Sequence, residues 1–395
     1  MKYDFKTLVP RKGTGSEKWE QMYAWNPHIT DDIVPFSVAD MELKSPPEII
    51  NGLKKFLDNA ILGYTMPYDG FYNAVIAWQK TKHNWDIKKE WIINTPGVVD
   101  AFYAAVRAFT NPGDGVIIFK PVYYPFSMAI ADNERELVNC PLINTNGYYT
   151  IDYNKLDELA KDPKNRLLIF CSPHNPVGRV WGKEELEKVA EIAIKNDLIV
   201  VSDEIWDDLI MPGYDHTVFA TISEELNDRL ITCTSPSKTF NLAGLAISNI
   251  IISNEKLRKE FKKAITVVRG GTVNILGYKA CEIGYTKCEG WLEELIELID
   301  TNQKVVTKFF EDNFPKIKAP LIEGTYLQWI DFKTLKMTNK LLEEFMHMEA
   351  EFFLDEGYIF GEEGSGYERI NLAAPTHVIE KALERLEKAL KKVYR

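Results

Sequence analysis

The middle of the chain alternates short apolar runs with segments of helical periodicity. The apolar runs lie at 91–95, 116–119, 167–170, 198–201, 230–233 and 246–252. Between the first two runs, Phe102, Ala105, Val106 and Phe109 recur at the spacing of one helix face. Strands separated by helices of this length predict β-α-β units. The expected architecture is therefore α/β, with three layers in which a mainly parallel sheet lies between helices.

From about residue 289 the pattern changes. A long helical stretch covers 291–310, and strand candidates follow at 325–332, 358–360 and 369–373. The last helix has an apolar face formed by Ile379, Ala382, Leu383, Leu386, Leu390 and Val393. This part of the chain is therefore predicted to form a smaller α+β module.

The composition argues against several classes of protein. The 395 residues include 58 acidic and 47 basic side chains, a net charge of −11 that argues against a general nucleic-acid binder. No apolar run reaches the ~20 residues of a membrane-spanning helix, and the N-terminal stretch lacks the apolar core of a signal peptide. The cysteines and histidines show neither disulfide nor metal-ligand spacing, so no metal is predicted. We expect a cytoplasmic protein without nucleic-acid or membrane partners.

Polar side chains follow three of the predicted strands, at the edge where α/β sheets bind their ligands. Asp203 and Asn175 each come just after a buried strand, and Lys238 follows another strand and two hydroxyl residues, Ser235 and Ser237. A lysine that forms a Schiff base must lie out of bulk water, and a buried carboxylate needs a cationic partner. Taken singly, each residue also has an ordinary explanation, as a surface lysine, a helix cap or a turn asparagine.

Three further features complete the set. Segment 95–99 joins a strand to a helix, and backbone N–H groups at a helix start can bind an anion. Tyr123 and Tyr124 follow a strand and are placed to stack on a flat cofactor, although single tyrosines are more often ordinary core. Arg369 opens an apolar strand, which is unusual unless its guanidinium meets a carboxylate. All six features occur in the chain order expected for one site.

In this order the features resemble the fold-type I pyridoxal-phosphate enzymes, the aspartate aminotransferase superfamily. Several stretches are similar to MalY/PatB-type carbon–sulfur lyases, the cystathionine beta-lyase class: SVADMELKSPPE, LGYT, PGVV, PVYYPF, SPHNPVGRVW, SDEIW, PSKTFNLAG and EGTYLQWID. The resemblance covers nearly the whole chain. It implies a large cofactor-binding α/β domain at 46–288, with a small α+β domain formed by 1–45 and 289–395. It also implies a homodimer whose active site is shared between subunits.

The resemblance implies roles around the cofactor, pyridoxal 5'-phosphate. Lys238 would hold the cofactor covalently and then move the Cα proton of an amino-acid substrate. Asp203 would pair with the pyridine nitrogen, and Asn175 would donate to the ring 3-oxygen. Tyr123 would stack on the ring, and Tyr124 would line the pocket beside it as a second catalytic tyrosine.

The resemblance also implies which residues bind the anionic groups. The phosphate would be held by Gly97, Val98, Val99, Ser235 and Ser237. Tyr64 would reach the phosphate from the other subunit, which makes the homodimer necessary for activity. Arg369 would clamp the substrate carboxylate, and Ala39 would close over the substrate.

Two positions depart from the superfamily pattern. Trp206 stands where a tyrosine or histidine usually helps to bind the ring 3-oxygen. Its indole N–H can donate that hydrogen bond but cannot accept a proton; alternatively, the ring packs aside and Asn175 suffices. Ala246 stands where aminotransferases of the superfamily commonly carry an arginine on the phosphate, and the absence of that arginine fits the lyase branch.

The implied activity is β-elimination, which converts L-cysteine or L-cystathionine to pyruvate, ammonia and sulfide or a thiol. One alternative is a class I/II aminotransferase, which begins with the same proton removal. A second is a related pyridoxal-phosphate reaction altered by Trp206. A third is a regulatory protein that binds the cofactor and acts mainly through its partner contacts.

Overall fold

The computed structural model describes residues 2–267 and 272–394. Its helices are α1 (Glu17–Trp25), α2 (Pro47–Leu57), α3 (Asp69–His83), α4 (Val98–Phe109), α5 (Pro125–Asp132), α6 (Tyr153–Ala160), α7 (Lys183–Lys195), α8 (Glu224–Asn227), α9 (Pro236–Thr239), α10 (Glu255–Val267), α11 (Ile275–Lys287), α12 (Glu289–Asn313), α13 (Asn339–Glu344) and α14 (Thr376–Val393). Its strands are β1 (Ile92–Thr95), β2 (Gly115–Ile118), β3 (Glu136–Asn139), β4 (Ile143–Thr145), β5 (Tyr148–Thr150), β6 (Asn165–Cys171), β7 (Ile199–Asp203), β8 (Leu230–Thr234), β9 (Ser248–Ile251), β10 (Leu327–Asp331), β11 (Asp355–Glu356) and β12 (Tyr367–Asn371). Residues 1, 268–271 and 395, which fall within the two predicted domains, lie outside the described residues.

Seven strands form the large sheet, in the order β1-β9-β8-β7-β6-β2-β3. Every pair from β8 to β3 is parallel, whereas β9 is antiparallel to both β1 and β8. The central strands β6, β7 and β8 are buried and mostly apolar because helices cover the sheet. Helix α4, for example, packs against β6, β7, β8 and β9. The predicted α/β fold with a mainly parallel sheet is confirmed.

A second, smaller sheet comes from the C-terminal part of the chain. Its order is β10-β12-β11, and both pairs are antiparallel. The strand predicted at 358–360 is wrong, because these residues form a 3₁₀ turn, Gly357–Phe360, and the strand here is β11, which precedes the turn. The turn folds back on itself so closely that a Cβ on Gly357 would lie 2.2 Å from the Gly364 carbonyl oxygen. The pattern of apolar residues in the sequence gives no sign of such a backbone contact.

The hairpin formed by β4 and β5 was not predicted, although the sequence carries its signal. Asn146 and Gly147 connect the two strands, and both have positive φ values, 55° and 91°. An Asn-Gly pair with this backbone is the preferred two-residue turn between antiparallel strands. Strands β4 and β5 were not predicted because their residues are mostly exposed and do not alternate between apolar and polar.

The two longest helices, α12 and α14, pack against each other beside the small sheet. Each buries one apolar face, which in α14 includes Ile379, Leu383, Leu386 and Leu390. Their other faces are polar. No helix within residues 2–267 and 272–394 combines the length and apolar character needed to cross a membrane.

Candidate active site

A cleft of about 180 Å³ opens at the edge of the large sheet where β1, β6, β7 and β8 end. Because the carboxyl ends of parallel strands meet at one edge, residues far apart in the chain come together here. The sequence-predicted residues that line this cleft are Ala39, Gly97, Val98, Val99, Tyr123, Asn175, Asp203, Trp206, Ser237 and Lys238. Five of the six features that the sequence placed in one chain order therefore meet in this cleft, whereas Arg369 is not among its lining residues.

Lys238 lies in the short helix α9, directly after β8, and its side chain points into the cleft. Its Nζ donates a hydrogen bond to the Ala39 carbonyl oxygen at 2.8 Å. Burial, together with the nearby Arg369 guanidinium, lowers the pKa of the Lys238 amine to about 8. A large fraction of this amine is therefore neutral in mildly alkaline solution, unlike that of a surface lysine.

Asp203 ends strand β7 and is 1% exposed. Burial raises the pKa of its carboxyl group to about 7, even though the Ile205 N–H and the charge of Lys238 both act in the opposite direction. Among the described residues, no cationic side chain forms an ion pair with Asp203. A buried carboxylate that faces a cleft in this state favours a ligand that brings its own positive charge.

Asn175 lines the cleft and is joined to Arg369, which lies outside the lining of the cleft. Arg369 Nη1 donates to Asn175 Oδ1 at 2.8 Å, and Nη2 contacts the Asp355 carboxylate. Since only the amide oxygen can accept from a guanidinium, the Asn175 NH₂ group remains available for the cleft. Arg369 Nε is buried without a partner among the described residues.

The start of helix α4 provides an anion site. Its N-cap residue is Gly97, which has no side chain to occupy the first N–H groups of the helix. Ser237 and Ser248 also line the cleft, and the Ser248 hydroxyl is buried with no partner among the described residues. Sequence reasoning missed Ser248, because only the pairing of β1 with β9 places it opposite Thr95.

Ser235 does not line this cleft. Its hydroxyl lies 2.7 Å from the Ile247 carbonyl oxygen and 2.8 Å from Ser237 Oγ, and it accepts a hydrogen bond from the Ser237 N–H. Ser235 thus caps helix α9 and lies behind Ser237. Its contact with Ser237 orients the hydroxyl that does face the cleft.

Trp206 is buried beside the lysine rather than packed away from the cleft. Its ring meets Tyr326 edge to face, with centroids 4.8 Å apart, and Lys238 Nζ lies 5.5 Å from the indole centroid. The Tyr326 hydroxyl donates to the Ala39 carbonyl oxygen at 2.7 Å, so this carbonyl accepts from two side chains. Tyr326, which sequence reasoning missed, therefore fixes the N-terminal segment against Lys238.

The three predicted tyrosines occupy different positions. Tyr123 lines the cleft, and burial raises the pKa of its phenol, so the hydroxyl stays protonated. Tyr124 is 41% exposed at the start of α5 and lies outside the lining of the cleft. Tyr64 is fully exposed and lies away from the cleft, in a segment with the exposed apolar residues Ile61 and Met66.

A buried polar network supports α9 from behind. Thr239, the residue after Lys238, donates to Asp208 at 2.7 Å. Asp208 also accepts from the Trp78 indole at 2.9 Å and lies 2.9 Å from His83 Nε2. Although burial opposes its charge, the carboxylates around His83 raise the pKa of this imidazole to about 9. Asp208 is thereby held between a charged histidine on α3 and the backbone segment that carries Lys238.

A sequence model of the aminotransferase class I and II family matches residues 31–386. The chain belongs to this family. Among curated members, it is 37% identical to cystathionine beta-lyase PatB of Bacillus subtilis (strain 168), over 98% of this chain and 100% of that protein. It is 28% identical to protein MalY of Escherichia coli (strain K12), over 99% of this chain and 100% of that protein.

Solved structures of the family show the same fold along the whole chain. The structure of cystalysin from Treponema denticola, which contains a pyridoxal 5'-phosphate cofactor, has a TM-score of 0.98 and 58% identity, and the match covers 99% of this chain and 100% of that one. A pyridoxal-phosphate-bound C–S lyase from Staphylococcus hominis has a TM-score of 0.91 and 32% identity, with 99% and 98% of the two chains covered.

Proposed function

We propose that this chain is a pyridoxal-phosphate-dependent carbon–sulfur lyase that eliminates the sulfur substituent of L-cysteine or L-cystathionine. The products are pyruvate, ammonia and sulfide or a thiol. The observation that carries the proposal is the presence, in one cleft, of the Lys238 amine with a lowered pKa and the Asp203 carboxylate without a cationic partner. The identity with relatives described as cystathionine beta-lyase or C–S lyase supports this choice of reaction.

The residues of the cleft fit the proposed cofactor at both of its ends. Asp203 suits a protonated pyridine nitrogen, which supplies the cationic partner that the buried carboxylate lacks. The uncapped start of α4 and the hydroxyls of Ser237 and Ser248 suit the phosphate. Because position 246 is alanine, the phosphate depends on these neutral donors, and the unpartnered Ser248 hydroxyl adds one that the sequence did not suggest.

Each side chain of the site has a separate role in the proposed reaction. When bound, pyridoxal phosphate supplies an electron sink for the pair left at Cα. Lys238 would hold the cofactor through its neutral amine and would act as the general base for the Cα proton of the substrate. Asp203 would keep the ring nitrogen protonated, and the Asn175 NH₂ group would donate to the ring oxygen. Arg369 would hold the substrate carboxylate, and Tyr123 would pack against the ring.

The reaction is tested by supplying sulfur amino acids alone. The purified holoenzyme is incubated with L-cysteine or L-cystathionine, and pyruvate and sulfide or thiol are measured without any keto acid. We expect pyruvate to form under these conditions. Turnover that requires an added keto-acid acceptor would instead identify an aminotransferase and exclude the lyase assignment.

The lowered pKa of Lys238 predicts how apoenzyme takes up pyridoxal phosphate. Only the neutral amine attacks the aldehyde, so the uptake rate should rise roughly tenfold per pH unit below pH 8 and level off above it. Stopped-flow absorbance measures this rate. In Arg369→Met the plateau should move to higher pH, because the guanidinium is one cause of the lowered pKa. A rate that still rises above pH 9 in the wild-type protein contradicts the prediction.

We also propose the domain division and the homodimer. The division into residues 46–288 and residues 1–45 with 289–395 is supported by contacts between the N-terminal segment and α12, including Phe5 against Trp291. The homodimer is supported by the exposed apolar segment around Tyr64, which includes Ile61, 92% exposed, and Met66, 82% exposed. In such a dimer Tyr64 reaches the phosphate of the other subunit.

Subunit mixing tests the shared site. Tyr64→Ala and Lys238→Ala should each be nearly inactive, because each lacks one half of every site. After the two variants are unfolded and refolded together, half of the dimers carry one site with both residues intact. We expect roughly a quarter of wild-type activity to return. Recovery below a few per cent, with mixed dimers shown to form, would place Tyr64 in the site of its own subunit, and a Tyr64→Ala variant that keeps wild-type activity would place it outside the site.

We further propose a cytoplasmic location. All five cysteines are buried free thiols, without a disulfide between them. Thiols in this state are typical of proteins kept in a reducing compartment.

A further inference from the structure

The face of the small sheet that points away from Arg369 carries a second group of polar side chains. Glu356 of β11 pairs directly with Glu368 of β12, while the next pair along is Asp355 with Arg369. Because successive residues of a strand point to opposite faces, Glu356 and Glu368 lie on the far side from the cleft. Directly opposite residues on one face have neighbouring Cβ atoms, so the two carboxyl groups share one environment.

A histidine and a third glutamate join this pair. His347 Nε2 lies 3.3 Å from a Glu356 oxygen. Glu343 belongs to α13, and His347 belongs to the π-helical turn Phe345–Glu349 that follows it. One ligand atom each from Glu343, His347 and Glu356 lies within 4.8 Å of the other two.

Two aromatic neighbours contact the imidazole. Its ring is nearly parallel to Trp25, with ring centroids 4.6 Å apart and planes 8° apart, and to Phe353, at 5.3 Å and 16°. The His347 backbone carbonyl accepts a hydrogen bond from Asn26 at 3.1 Å. These contacts hold His347 in place without using a ring nitrogen.

The negative charge of the group is not balanced by the described residues. Glu368 is 3% exposed, and within ranges 2–267 and 272–394 its carboxyl group has neither a hydrogen bond nor an ion pair. No lysine or arginine of the described chain pairs with Glu343 or Glu356 either. Buried carboxylates in this state need protons or a cation.

We propose that Glu343, His347 and Glu356 form a binding site for a first-row divalent cation such as Zn²⁺ or Mn²⁺, with the Glu368 carboxyl group beside it. Carboxylate oxygens with one imidazole nitrogen suit these ions, whereas Mg²⁺ and Ca²⁺ prefer oxygen ligands alone. Glu343 is partly exposed and opens a path from solvent. The bound ion ties β11 to the end of α13, next to the strand pair that positions Arg369.

The experiment titrates Zn²⁺ into chelator-treated holoenzyme by calorimetry, with Mg²⁺ as the comparison ion. We expect one Zn²⁺ site per chain that Mg²⁺ does not occupy. Glu343→Gln and Glu368→Gln should each weaken Zn²⁺ binding by at least ~10-fold. Glu344→Gln is the matched control, because this exposed neighbour on the same helix is outside the group and should bind Zn²⁺ like the wild type.

Two results would overturn the proposal. One is the absence of Zn²⁺ and Mn²⁺ binding to the wild-type protein. The other is equal Zn²⁺ affinity in Glu343→Gln, Glu368→Gln and Glu344→Gln, which would place the ion elsewhere. Since Glu343 is partly exposed, its variant is expected to fold even if the buried Glu368→Gln does not.

Discussion

Replacing Lys238 by alanine is expected to lower kcat by at least ~10⁴-fold. The amine has two tasks in the proposed reaction, and general-base catalysis alone contributes about 10²–10⁴-fold. The covalent attachment of the cofactor is lost as well, so absorbance near ~420 nm, which is general to pyridoxal phosphate bound through a lysine, should disappear. Activity and the absorbance spectrum of the purified variant check both effects.

A surface lysine serves as the control for the Lys238→Ala result. Lys195 is 61% exposed in its side chain and forms an ion pair with Asp157 on the surface, so Lys195→Ala should keep both colour and activity. If Lys238→Ala kept either one, the assignment of the whole cleft would fail. A colourless variant that folds with wild-type circular dichroism separates loss of attachment from loss of structure.

Most of the predicted residues that line the cleft lie at or just after the end of a strand; Ala39 is an exception. Asp203 ends β7 and Lys238 lies in the helix after β8, and parallel pairing brings the ends of these strands together without further information. Asn175 follows β6 in the same way. The mainly parallel sheet was predictable for the same reason, because its continuous apolar strands are a local pattern.

The residues that the sequence missed contribute through contacts between distant segments. Ser248 reaches the cleft because β9 runs antiparallel to β1. Tyr326 contributes through its contacts with Trp206 and the Ala39 carbonyl oxygen. Asp208 supports Lys238 only through Thr239 and the distant His83. Such residues carry no motif of their own, since their position depends on a pairing register or on packing that a linear pattern does not contain.

Replacing Asp203 by asparagine should reduce kcat by about 10²–10³-fold, the scale found when one preorganised electrostatic group is removed from a site. An amide cannot hold a proton on the pyridine nitrogen, so less negative charge is drawn away from Cα. Cofactor affinity should fall as well. Glu204→Gln is the matched control: this neighbouring carboxylate is also buried, but it contacts Ser202 and His216 rather than the cleft.

The apoenzyme gives an independent test of the same residue. The pKa of Asp203 rises from 3.8 to about 7 on folding, so between these values the folded protein binds more protons than the unfolded chain. Its contribution to the free energy of unfolding therefore falls as pH rises from about 4 to above 7, by roughly 4 kcal/mol at most. The Asp203→Asn substitution removes this pH-dependent fall in the free energy of unfolding. The variant without cofactor should therefore become more stable than the wild-type apoenzyme as pH increases. Denaturant unfolding at pH 5 and pH 8 measures the difference.

With the cofactor bound, the order of stability should reverse. The cationic ring nitrogen compensates the buried carboxylate, so binding stabilises the wild-type protein more than the variant. The same substitution is thus expected to stabilise the empty protein and to weaken the holoenzyme. A variant less stable than wild type in both forms would mean that Asp203 is satisfied without the cofactor, and its assignment to the ring nitrogen would be wrong.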